Sequence, residues 1–139
     1  MKNFILVCIG AVGSFLSYLI GGWDAAAITL TIFMAIDLIT GWIVAFSHRS
    51  KKTESGGYSS KVGFIGLSKK FIILLLIMVA HRFDLMLGVD YIRTAACISF
   101  MANESLSIIE NAGLIGVPIP KIITKGIDLL HEKGDTDNG

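Results

Sequence analysis

The sequence predicts an all-α integral membrane protein with about four transmembrane helices and a C-terminal amphipathic helix. Three observations carry that expectation. The 139 residues are 53% apolar and 17% charged, with a mean hydropathy of +0.71, whereas soluble domains carry about 25% charged residues. Apolar runs of span length alternate with short polar or glycine-rich turns. The basic residues fall unevenly between the two ends of those runs. The length suits a single domain, and a formal net charge of +1 argues against nucleic acid as a partner.

Residues 1–116 form the transmembrane region, with spans at about 4–20, 25–46, 62–88 and 92–115. The first run is uncharged, and as a helix it is about 25 Å long. A secretory signal with cleavage near Ala25–Ala27 is the competing reading; cleavage would still leave a membrane protein, so a retained first helix is expected. Gly10, Ser14, Ser17 and Gly21 recur at helical spacing. Such a small-residue face lets helices approach closely in lipid, within one subunit or between subunits. Gly21-Gly22-Trp23-Asp24 reads as an interfacial turn. The second run is interrupted by Asp37, which with Thr40 and Gly41 forms D-x-x-T-G. An intramembrane aspartate marks a functional site or a capped structural carboxylate.

Residues 47–60 (SHRSKKTESGGYSS) make a water-exposed basic loop. The G-x-x-G-L-x-K-K piece that follows lacks the spacing of a phosphate loop. Lys69 and Lys70 are expected to snorkel to the headgroups and, with Arg49, Lys51 and Lys52, to form a basic membrane-surface set. Arg82 and Asp84 lie near the far interface or pair with other polar groups. Gly116, Pro118 and Pro120 end the last span. Residues 117–133 carry Ile119, Ile122, Ile123, Ile127 and Leu130 at helical spacing, an amphipathic helix suited to the membrane surface or a partner. Residues 134–139 read as a disordered polar tail.

With four spans, Lys2, Arg49, Lys51, Lys52, Lys61, Lys69, Lys70, Lys121, Lys125 and Lys133 fall on one side. Only Arg82 and Arg93 fall on the other. That bias places both termini in the cytoplasm.

The fourth span is the unusual one. Ser99, Asn103, Glu104, Ser107, Glu110 and Asn111 fall within an arc of about 140° on a helix. Ser105 interrupts the opposite apolar face and Phe100 the polar one. Carboxylates and carboxamides at membrane depth must face protein or water, so the stripe lines a lesion or holds helices together. His48, His81 and His131 lie far apart, with no pair at metal-ligand spacing, and no serine or cysteine sits in a nucleophile motif with a base. Cys8 and Cys97 read as packing residues. The expectation is therefore no catalytic residue, no metal and no cofactor.

N-E-x-x-S-I-I-E-N-A-G-x-x-G-V-P-I-P from Asn103 to Pro120 resembles the signature of the toxin-secretion/phage-lysis holins, the bacteriophage holin family that includes clostridial toxin-export proteins. D-x-x-T-G at Asp37–Gly41 and S-x-x-G-x-x-G-L-x-K-K at Ser60–Lys70 precede it in order. The resemblance covers roughly residues 35–130. It implies a multi-pass protein of the bacterial cytoplasmic membrane that self-associates and opens a lesion for a cytoplasmic muralytic enzyme or a toxin. It also implies no covalent chemistry and no cofactor. A small ion-coupled channel or transporter using Asp37 and Glu104, or an accessory membrane subunit of a secretion complex, are the rival readings.

Overall fold

The computed structural model describes residues 1–137, which form five helices. They are α1 (Lys2–Ile20), α2 (Ala25–Phe46), α3 (Ser60–Leu87), α4 (Ile92–Ile115) and α5 (Lys121–Asp137). There is no strand among the described residues.

Local chemistry sets the helix ends. Gly21 and Gly22 adopt φ of 84° and 97°, the left-handed region that closes a helix C-terminus and favours glycine. The Asp24 carboxylate then caps α2 by accepting from the Ala27 amide at 3.0 Å, satisfying one of the free first-turn donors. Ser59 does the same for α3 through Val62. The N-terminus of α4 is capped from another helix: Asp84 of α3 accepts from the amides of Ile92 and Arg93 at 2.9 and 3.0 Å. Of the two expectations for Asp84, the far interface or a polar partner, it has the partner, and that partner is the N-terminus of α4.

Three helices, α1, α2 and α3, are long and apolar enough to cross a membrane. Their outward faces present Phe4, Leu6, Phe15, Ile32, Trp42, Phe71 and Leu76 to the surroundings. The chain is a helical membrane protein. At 24 residues, or about 36 Å, α4 is long enough, yet it carries Arg93, Glu104 and Glu110.

Packing centres on α2 and α4, which run parallel. Arg93 at the start of α4 grips Asp24 at the start of α2. Further along, Asn111 meets Asp37 and Thr40. At the other end, Arg49 reaches the carbonyls of Leu114 and Ile115 at 3.3 and 3.4 Å. α4 is therefore coextensive with α2. Ile20, Leu30, Met34, Ile77, Cys97 and Met101 form an apolar core between the helices.

α1 is peripheral, with Ile20 its one buried residue. α5 turns back after Pro118–Pro120 and packs along α4, burying Ile127 and Gly134. The disordered tail expected from Gly134 is a helix through Asp137 instead. Gly134 abuts Ser99, and Thr136 donates back to the Glu132 carbonyl at 2.8 Å, so tertiary packing and a local bond extend the helix. Asn138 and Gly139 of that expected tail lie outside the described residues.

Candidate functional site

Asp37 and Glu104 each stand thirteenth in their helices, of 22 and 24 residues. Lys70 of α3 reaches between them. Its ammonium donates to Asp37 Oδ2 at 2.6 Å and to Glu104 Oε2 at 2.5 Å. The Lys70 and Glu104 side chains are buried, 11% and 9% exposed, and Asp37 is nearly so. Asn111 completes the group, its amide donating to Asp37 Oδ1 at 3.2 Å and Thr40 Oγ1 at 3.0 Å. Thr40 in turn donates to the Ile36 and Asp37 carbonyls. Three helices are thus tied at mid-length by one ammonium, two carboxylates and a carboxamide. With all three ionised, the charges sum to −1.

Burying such charges away from water is tolerated only when they are paired and hydrogen-bonded. Every fully buried side-chain nitrogen and oxygen among the described residues has a partner. The network is also the floor of a cavity of about 970 Å³. Its walls are α2, α3 and α4, and its mouth carries Lys51, Lys52, Thr53 and Tyr58 of the α2–α3 loop. Tyr58 stacks on Phe46 with ring centroids 5.3 Å apart. The opposite side of the network is closed by the apolar core of Leu30, Met34, Ile77 and Met101.

A second polar cluster closes the other end of the bundle. Arg93 donates to both Asp24 oxygens at 2.8 and 3.1 Å, to the Gly22 carbonyl at 2.8 Å and to the Ile20 carbonyl. The guanidinium beside Asp24 holds its carboxyl below the usual carboxylate range, against a smaller opposing effect of burial. This clamp satisfies carbonyls left open at the α1 C-terminus.

The sequence-predicted residues separate into several environments. Glu104 and Asn111 join Asp37 and Thr40 in the network. Ser107 is half-buried and lines the cavity, with Glu110 exposed at its wall. Asn103 is exposed, and Ser99 faces Gly134 of α5. The stripe does not act as one surface because α2 and α3 cover only part of its arc. On α1, a Cβ at Gly10 would meet nothing within 4 Å and Ser14 is exposed. Ser17 is half-buried, and Gly21 lies against His81 and Arg93.

One expectation is overturned. Lys70 is not a membrane-surface residue; it turns into the bundle because two carboxylates there offer more than a distant headgroup. Arg49, Lys51, Lys52 and Lys69 are exposed. The signal for Lys70 was present: an acidic residue inside an apolar run calls for a partner at similar depth. The Arg93–Asp24 clamp was also missed, since its partners lie 69 residues apart. No group of three or more potential metal ligands occurs among the described residues.

These features define a class: a small helical membrane protein with apolar outer helices and a buried ion network reached from one end. The bacteriophage holin family model matches residues 14–132, and the chain belongs to that family. A Clostridium perfringens protein described as an uncharacterized 14.9 kDa protein in the nagH 3' region is 33% identical over 133 residues, covering 94% of this chain and 96% of its own length. Lmo0128 of Listeria monocytogenes, also uncharacterized, is 33% identical, with 90% and 85% covered. The probable holin of Bacillus phage phi105 is 31% identical over 107 residues, with 76% and 74% covered. No solved structure matches the chain.

Proposed function

We propose that this chain is a holin that accumulates in the bacterial cytoplasmic membrane, self-associates and opens a lesion. Through that lesion a muralytic enzyme, or in another setting a toxin, leaves the cytoplasm. The chain itself performs no covalent chemistry. The observation carrying this reading is that α4 runs the full length of α2, joined to it at mid-depth by the Asp37–Lys70–Glu104 network. A helix coextensive with an apolar span crosses where that span crosses, which supports four transmembrane passes. Its charged residues are tolerable at that depth because they are paired.

Orientation follows from the remaining basic residues. With Lys70 inside the network and α5 docked on α4, Lys2, Arg49, Lys51, Lys52, Lys61, Lys69 and Lys121 still share one side, against Arg82 and Arg93. That bias supports a cytoplasmic N-terminus and a cytoplasmic cavity mouth. In this reading, Glu104 and Asn111 hold the subunit together. The unpartnered Gly10 and Ser14 on α1 offer a face for close packing with a second copy.

Expression of the chain alone in a bacterial host tests the proposal. The expected result is growth arrest with loss of membrane potential and, with a co-expressed muralytic enzyme, lysis. Harmless accumulation in the membrane would refute it. The cavity reaching a mid-depth ion network is also what a small ion pathway would use. A channel of that kind would collapse the potential without letting a protein-sized marker escape.

A further inference from the structure

The least accommodated feature of a four-pass arrangement is α5. Its apolar edge is covered: Ile127 is 5% exposed, and Leu130 packs against the core. With Ile123 and Ile127 of α5, Phe33, Ile108 and Ile109 line a small apolar cavity between α2, α4 and α5. A Cβ on Gly134 would stand 3.0 Å from Ser99 Oγ. The helix therefore runs antiparallel along α4, from the α4 C-terminus back to Ser99. Equal rise on both helices sets Asp128 level with about Ser105, near the middle of α4.

The other face of α5 has no partner in the subunit. Lys121, Lys125, Asp128, Glu132, Lys133 and Asp135 are exposed. The ion pairs formed among the described residues join Lys70 to Asp37 and Glu104, and Arg93 to Asp24; none involves α5. Docked on a spanning α4, Lys125, Asp128, Glu132 and Lys133 stand at hydrocarbon depth, which lipid does not tolerate and water does. We propose that the charged face of α5 is the water-facing wall of the lesion, with α4 as the beam that carries it. The proposal rests on the lesion-forming reading above. It assigns the wall to α5 and leaves Glu104 and Asn111 of the α4 stripe to internal structure.

The test uses the full chain with Cys8→Ser and Cys97→Ala, reconstituted in vesicles loaded with a dye-labelled dextran. In this background Ser99→Cys and Gly134→Cys introduce a disulfide between α4 and α5. A wall mounted on α4 predicts that the disulfide forms in the membrane and that oxidised and reduced proteins release dextran equally. Failure of the disulfide to form, or release only after reduction, would show that α5 leaves α4 and would overturn the proposal. No release by the parent chain would instead sink the lesion-forming reading, and this inference with it. A second variant, Lys125→Leu/Asp128→Leu/Glu132→Leu, makes the outer face apolar. It is expected to insert and accumulate but lose dextran release. Release equal to the parent would again exclude α5 as the wall.

Discussion

Lys70 and Glu104 meet at 2.5 Å near the middle of the bundle, with Asp37 2.6 Å from the same ammonium. Removing the cation strands two carboxylates in a low-dielectric interior, whereas removing all three charges does not. Lys70→Met is therefore expected to destabilise the subunit by about 3–5 kcal/mol, as breaking a buried ion pair does. The Asp37→Asn/Lys70→Met/Glu104→Gln triple variant should recover most of that loss. Thermal unfolding in detergent and membrane accumulation measure both. A Lys70→Met protein that melts like the parent would remove the network from the account of stability.

Acid should loosen the opposite end of the bundle. Arg93 depresses the Asp24 carboxyl, so this contact stabilises the fold above the unfolded carboxylate pKa of about 3.9. It is lost as the pH falls through the lower folded value. The melting temperature is expected to drop between pH 5 and 3 by a larger margin in the parent than in Asp24→Asn, as both numbers bracket the roughly 3.9 reference. Because Asp24 is half-exposed, solvent screening keeps the difference small. Identical acid profiles for the two proteins would contradict the clamp.

Gly21 and Gly22 separate backbone strain from steric conflict. Both have positive φ, but a Cβ at Gly21 would lie 2.6 Å from His81 Nδ1, while one at Gly22 meets nothing within 4 Å. Gly22→Ala should cost about 1 kcal/mol, the strain of a left-handed residue. Gly21→Ala should cost more and recover partly when combined with His81→Ala. Equal melting temperatures for the two single variants would argue against this packing.

The exposed small face of α1 offers a separation of folding from assembly. Gly10→Leu meets open space, so the subunit's stability should stay within about 0.5 kcal/mol of the parent, as for other surface changes. If α1 packs against a second copy, crosslinked oligomers in the membrane should diminish and lysis should be delayed. Unaltered oligomers would move the self-association surface elsewhere.

The apolar runs, their glycine and proline stops and the Gly21–Asp24 turn could be read directly, because each depends on neighbours within a few residues. The Asn103–Pro120 motif identified the family for the same reason. Asp37 and Glu104 could be picked out as residues in need of partners, but the partner could not be chosen. Lys70 stands 33 and 34 residues from them, and an exposed lysine at a helix start has the same local pattern. Periodicity likewise marked α5 as amphipathic without saying what its apolar edge would meet.

What this sequence determines by itself is composition, the helix limits other than the end of α5, and the face each residue occupies on its own helix. Tertiary structure alone decided that Lys70 turns inward, that Asp84 caps α4 and that α5 lies along α4. The physical reason is that burial and charge pairing depend on which helices meet, and those meetings join residues far apart in the chain.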